Sequence, residues 1–146
     1  MIDLAGIKQF PVPVERLYPE LANLTRLVQS LPDVKTVKSI SEDAAVIVVA
    51  PGLSFIKGEL ETVINRTSCS APTSASLAIA SKGIGTTVKV SASFSLTAVD
   101  AGSELNWKAT VTELGGLLKL VPSSLLKGAA QKVIEGWLTS LASRLS

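Results

Sequence analysis

From residue 87 to residue 98 the chain alternates without a break. Val88, Val90, Ala92, Phe94, Leu96 and Ala98 stand on one parity, and Thr87, Lys89, Ser91, Ser93, Ser95 and Thr97 on the other. Successive side chains of a strand point to opposite faces, so this run predicts an antiparallel strand with one face on a core and the other in water. Asp100-Ala101-Gly102 supplies a hairpin turn. The returning segment repeats the pattern, with Leu105, Trp107, Ala109 and Val111 on the apolar side and Asn106, Lys108, Thr110 and Thr112 outside. Shorter period-two stretches at residues 2–10, 34–41, 44–50, 55–67 and 73–81 predict further strands. In the segment 55–67, Ile56, Leu60 and Ile64 share one side, and Lys57, Glu59, Glu61 and Asn65 the other. Glu42-Asp43, Pro51-Gly52, Ala71-Pro72 and Lys82-Gly83-Ile84-Gly85 fall between these runs and read as turns or breaks.

Two regions carry a helical period instead. Pro11-Val12-Pro13 ends the first strand, and Pro13 suits the first turn of a helix, where a missing N–H costs nothing. Val14, Leu17, Tyr18 and Leu21 then give one apolar face, and Pro19 is expected to limit the helix. Asn23 is the expected cap of a second short helix over residues 24–31, with Leu24, Leu27, Val28 and Leu31 on its apolar face and Pro32-Asp33 as its stop. Gly115-Gly116 closes the sheet region. From Pro122 onward apolar pairs recur every four residues: Leu125/Leu126, Ala129/Ala130, Val133/Ile134, Trp137/Leu138 and Leu141/Ala142. An α-helix turns once in about 3.6 residues, so a four-residue repeat winds around the helix. A flat contact cannot bury such a stripe; a curved sheet could, as could a sheet on one side and a partner on the other. Gly128 and Gly136 interrupt this helix, through either a close approach or simple tolerance of glycine at the surface.

The predicted order is strand, two short helices, about six antiparallel strands and a long C-terminal helix. It implies an α+β fold in which a curved sheet of six to seven strands wraps the last helix, in one domain spanning residues 1–146. With 47% hydrophobic and 18% charged residues, disorder is excluded. The longest apolar stretch, residues 44–51, is far short of the roughly 20 residues of a spanning helix. The opening Met1-Ile2-Asp3-Leu4 lacks the features of a signal peptide, so a cytoplasmic protein is expected. Histidine is absent, which removes the commonest general base and the usual zinc ligand. The single cysteine, Cys69, forms no internal disulfide. A net charge of +2 without a basic block argues against nucleic acid. Chemistry alone thus points to a binding module without catalytic residues, metal or cofactor.

The segments Phe10-Pro11-Val12-Pro13-Val14-Glu15-Arg16-Leu17-Tyr18, Leu31-Pro32-Asp33-Val34 and Gly115-Gly116-Leu117-Leu118, with the tail Leu125-Leu126-Lys127-Gly128-Ala129-Ala130-Gln131-Lys132, resemble the carbon monoxide dehydrogenase G-subunit family of the START-like (SRPBCC) superfamily. Asp33 departs from the glycine often found there. The resemblance implies a helix-grip fold and an accessory role beside a molybdenum-containing hydroxylase, in membrane placement of the enzyme or in handling a quinone-like acceptor. Some members carry a membrane-anchoring tail; with the sequence ending at Ser146, peripheral membrane contact is expected to fall to the folded surface.

A hydrophobic small molecule, lipid- or quinone-like, is the expected partner. Ala92, Ala98 and Ala109 on the inward parity either leave room for it or let the helix approach the sheet. The expected lining is Leu77, Ile79, Ala92, Phe94, Trp107, Ala109, Ile134 and Trp137. The two tryptophans serve as lining, as core anchors or as both, and a ligand could accept from their N–H groups. Glu59 and Glu61 share the outward parity of Lys57 and read as a solvated face rather than an acid–base pair, and Glu42/Asp43 reads as a turn. Glu113 beside the double glycine has no better support as an acid–base group, and Cys69 has no basic neighbour to activate it. The run Leu117, Leu118, Leu120 and Val121 is either a docking patch or a buried entry to the helix, and Lys119, Lys127, Lys132 and Arg144 give this end a basic bias. A recruitment protein with a filled core, docking on an oxidoreductase, is the competing class, and a cyclase- or hydrolase-like enzyme of the same fold a third.

Overall fold

Among the described residues, period-two patterning builds seven strands and helical patterning three α-helices. In chain order these are β1 (Ile2–Phe10), α1 (Val14–Ala22), α2 (Leu24–Ser30), β2 (Val34–Ile40), β3 (Ala44–Val49), β4 (Leu60–Ser70), β5 (Ser74–Gly83), β6 (Thr86–Val99), β7 (Gly102–Gly116), a short 3-10 helix Leu117–Leu120, and α3 (Ser123–Leu145). The structure is a computed structural model that describes residues 2–50, 58–83 and 85–145. The expected positions 51–57 and Ile84 lie outside the described residues, so the strand read from residue 55 is seen from Leu60 onward. The strands form one antiparallel sheet in the order β1-β7-β6-β5-β4-β3-β2. None of the helices among the described residues is long and apolar enough to cross a membrane.

Bulges bend this sheet. Between β6 and β7, Lys89 pairs with Glu113 but Val90 pairs with Val111, which leaves Thr112 as an extra residue. An extra residue kinks its strand and shifts the parity beyond it. Leu114 consequently packs on the core with Val88. A second shift lies between Arg66 and Ser68 of β4. At the β6–β7 hairpin, Gly102 has φ 147° and presses on the Phe10 carbonyl, where no Cβ would fit. Next to it the buried Ser103 hydroxyl donates to the Val12 carbonyl at 2.7 Å and fixes the exit of β1.

Helix α1 runs through Pro19 and ends at Ala22. The ring removes one N–H from the ladder, but Leu17, Tyr18, Leu21 and Ala22 are buried, and that packing outweighs the lost bond. Arg66 of β4 donates to the Ala22 carbonyl at 2.8 Å, supplying a partner at the helix end. Asn23 caps α2 as expected, accepting from the Thr25 N–H at 3.0 Å. Ala98, expected inward, is exposed, because it lies at the hairpin tip where it pairs with Ser103 beyond the cover of the helices. The Tyr18 hydroxyl donates to the Ser74 carbonyl at 2.9 Å, and its ring lies 6.0 Å from that of Phe94 at 55°.

The winding stripe of α3 is only partly covered. Leu126, Leu138 and Leu141 are buried, while Leu125 is 54% and Val133 43% exposed. A Cβ at Gly128 or Gly136 would meet nothing within 4 Å, so no close approach explains either glycine. Gly128→Ala and Gly136→Ala should therefore each stabilise the protein, by up to about 1 kcal/mol, in chemical denaturation. A second expectation concerns pH. Burial, with Cys69 adding to it against an opposing pull from Arg66, holds the Tyr18 phenol above its ordinary value of 10.0. A group with a raised folded pKa contributes stability that is fully present below the unfolded pKa and lost as pH rises through the folded one. Unfolding free energy should decline above about pH 10. Tyr18→Phe should remove that part of the decline while costing about 1 kcal/mol at neutral pH.

Candidate functional site

Register sets the shape of the interior. Leu77 of β5, Ala92 of β6 and Ala109 of β7 form one row across neighbouring strands. Two alanines side by side leave a hollow in the concave face. The next row runs Ala75, Phe94, Trp107 and Gly6, and the indole edge of Trp107 lies over Gly6. A Cβ at position 6 would stand 2.6 Å from Nε1, so the bare glycine is what admits the ring. Above these rows lies a cavity of about 320 Å³. Its floor includes Ile64, Leu77, Ile79, Val90, Ala92, Phe94, Leu105, Trp107 and Ala109. Its roof is Val133, Ile134, Trp137 and Leu138 of α3.

All eight residues expected as lining stand around this one space. Its remaining wall was not foreseen: Leu21 of α1, Leu27 of α2, Leu31-Pro32-Asp33 and Val49, with Ser93 of β6 and Lys108 of β7. Asp33 has φ 64° and is exposed, so it marks the rim, as does half-exposed Val133 on the opposite side. The cavity follows the seam between two packed clusters. One joins β1, β6 and β7 to α1 and α3; the other joins α2 to β3 and β4; Trp137 packs against both. Leu77, Ile79, Val90, Ala92 and Phe94 lie on the inner strands β5 and β6 yet are only partly buried, because the helices pass to either side of them.

The two indoles differ. Trp137 Nε1 donates to the Ser30 hydroxyl at 2.9 Å, and Ser30 donates onward to the Leu27 carbonyl at 2.7 Å. This ties α3 to the end of α2 beside the rim, so the expectation that a ligand supplies this acceptor is corrected. Trp107 is 9% exposed. Its N–H meets no acceptor among the described residues, and the atom is not sealed from accessible space.

Apart from Asp33 at the rim, the acidic residues lie elsewhere. Glu61 bonds Lys38, and that contact holds its carboxyl below the usual range. Glu113 pairs with Lys89 at 3.2 Å, and Asp43 accepts from the Ser41 hydroxyl at 3.0 Å. Cys69 is exposed. Among the described residues, no group of histidine, cysteine or carboxylate side chains is placed to hold a metal ion. The leucine run divides: Leu118 is buried, whereas Leu117 is 58% and Leu120 81% exposed.

Known structures share this architecture. A conserved protein from Geobacillus kaustophilus superposes with a TM-score of 0.88 at 19% identity, covering 99% of this chain and 95% of that one. A START superfamily protein from Mycobacterium smegmatis gives a TM-score of 0.70 at 12% identity, over 99% and 97% of the two chains. At such identities the likeness shows the fold, a START-like helix grip. Comparison with curated protein sequences finds no match. The family model for the G-subunit of carbon monoxide dehydrogenase (CoxG) matches residues 6–146, and the chain therefore belongs to the CoxG family.

Proposed function

We propose that the protein binds a hydrophobic small molecule between its sheet and α3 and performs no chemistry on it. The observation that carries this reading is the uncovered apolar floor on β5 and β6 beneath a cavity of about 320 Å³. Protein interiors are close-packed, and a void of this size without an occupant forfeits dispersion contacts on every wall. Pockets for small molecules are largely apolar with few polar groups, and this wall fits that description. The family name supports an accessory role beside a molybdenum-containing hydroxylase of the carbon monoxide dehydrogenase type. A lipid- or quinone-like compound suits the lining.

Filling the hollow tests the reading directly. Ala92→Leu should weaken binding of a medium-chain fatty acid or an alkylated quinone by about ten-fold or more, read by tryptophan emission, while the melting temperature holds or rises. Wild-type emission that stays constant through both titrations would exclude the carrier.

A second reading has its own observation. Exposed Leu117, Leu120 and Leu125 lie close in the chain to Lys119 and Lys127. Such a patch suits docking on an oxidoreductase or peripheral contact with a membrane. Under this reading Leu120→Ser would abolish co-sedimentation with the partner enzyme or with anionic vesicles, and leave small-molecule binding unchanged.

A further inference from the structure

We infer that the span of α3 from Gly128 to Gly136 is a door over the cavity, held shut on the α2 side by the hydrogen bond from Trp137 to Ser30. The inference rests on the carrier reading and deepens it, from what is held to how it enters and leaves. It starts from two glycines that packing does not explain. A Cβ at Gly128 or Gly136 would meet nothing within 4 Å, yet each weakens the interior of the helix. They bracket Val133 and Ile134, which roof the cavity. Leu126 before the first glycine is buried, as are Leu138 and Leu141 after the second. Between Leu126 and Leu138, no described side chain is buried. The helix is thus anchored at both ends and lightly held where it crosses the hollow. Segments with few buried contacts and exposed backbone are the ones that open locally, well short of global unfolding.

Polar contacts hold this span on its two sides. Gln131 Nε2 donates to the Ala5 carbonyl of edge strand β1 at 3.0 Å. Opposite, Trp137 Nε1 donates to the Ser30 hydroxyl at 2.9 Å, and Trp137 is the described α3 residue that packs against the cluster of α2, β3 and β4. The polar residues of the lining add no hold. Asp33 is exposed at the rim, Ser93 and Lys108 belong to the floor strands, and none of the three bonds α3 among the described residues. Breaking the Trp137–Ser30 bond therefore frees the α2 side of the span while Gln131 keeps the β1 side, and the mouth widens between Val133 and Asp33. Empty and loaded forms are both closed, so the population of the open state limits entry and exit alike. A change in that population moves both rate constants together and leaves the affinity in place.

The test mixes the full chain with decanoic acid or decylubiquinone by stopped flow and reads tryptophan emission for both rate constants. Ser30→Ala should raise association and dissociation about five-fold each, the worth of one ordinary hydrogen bond. Gly128→Ala combined with Gly136→Ala should lower both by about five-fold or more, with Kd held within about two-fold. Residues that only line or support the pocket would change Kd, through dissociation. Hydrogen exchange of the ligand-free protein gives a reading without a probe. Amides of residues 129–136 should exchange ahead of those of residues 138–145, faster in Ser30→Ala and slower in the double glycine variant. Probe uptake with rate constants unmoved by these variants, a change confined to dissociation, or exchange uniform along α3 would overturn this inference and leave the carrier reading standing. If neither probe is taken up, both fall.

Discussion

Pairing of β1 with β7 is the constraint from which the rest follows. It places the first strand at one edge of the sheet, while the next strand in the chain, β2, occupies the opposite edge. The segment between them must cross, and α1 and α2 carry it over the concave face. Their apolar sides are consumed at the two ends of that crossing: Leu17 and Leu21 join the cluster on β1, β6 and β7, and Leu24, Leu27 and Val28 the cluster on β3 and β4. Between those two clusters the roof over the inner strands is α3. One helix about 10 Å across cannot cover the inner strands of a seven-stranded sheet, and the cavity is the remainder.

The layers are held by a small number of polar ties at the margins of this apolar interior. Ser103 anchors the segment after β1, Arg66 meets the end of α1, Tyr18 joins α1 to the start of β5, and Trp137 joins α3 to α2 through Ser30. Each gives a buried or half-buried polar group its partner. The ion pairs Lys38–Glu61, Lys89–Glu113 and Arg26–Glu20 all lie on exposed surfaces, where such pairs contribute little to stability. The interior between sheet and α3 is thereby left mostly apolar.

Much of the site was legible because its floor is made of strands. The alternation through Val90, Ala92 and Phe94, and through Leu105, Trp107 and Ala109, assigns those residues to one face whatever that face packs against. The wall from Leu21, Leu27 and residues 31–33 was not legible, since nothing in a short amphipathic helix says which part of a sheet it will cover. Ala98 shows the converse error: its parity is right, but the hairpin tip extends past the helices. The sequence could not reveal either that Gly128 and Gly136 face open space or that Ser30 would take up one of the two indole N–H groups.

By itself, then, the amino-acid sequence determined the elements, the inward parity of the regular stretches of β6 and β7 and the absence of histidine chemistry. These depend on residue type and on periods of 2 and 3.6, which are local properties of the chain. Only the tertiary structure decided that the hollow persists, where its rim lies and which tryptophan ties α3 to α2. Those outcomes depend on contacts between residues as distant as Ser30 and Trp137, or Gly6 and Trp107, and no local period encodes them.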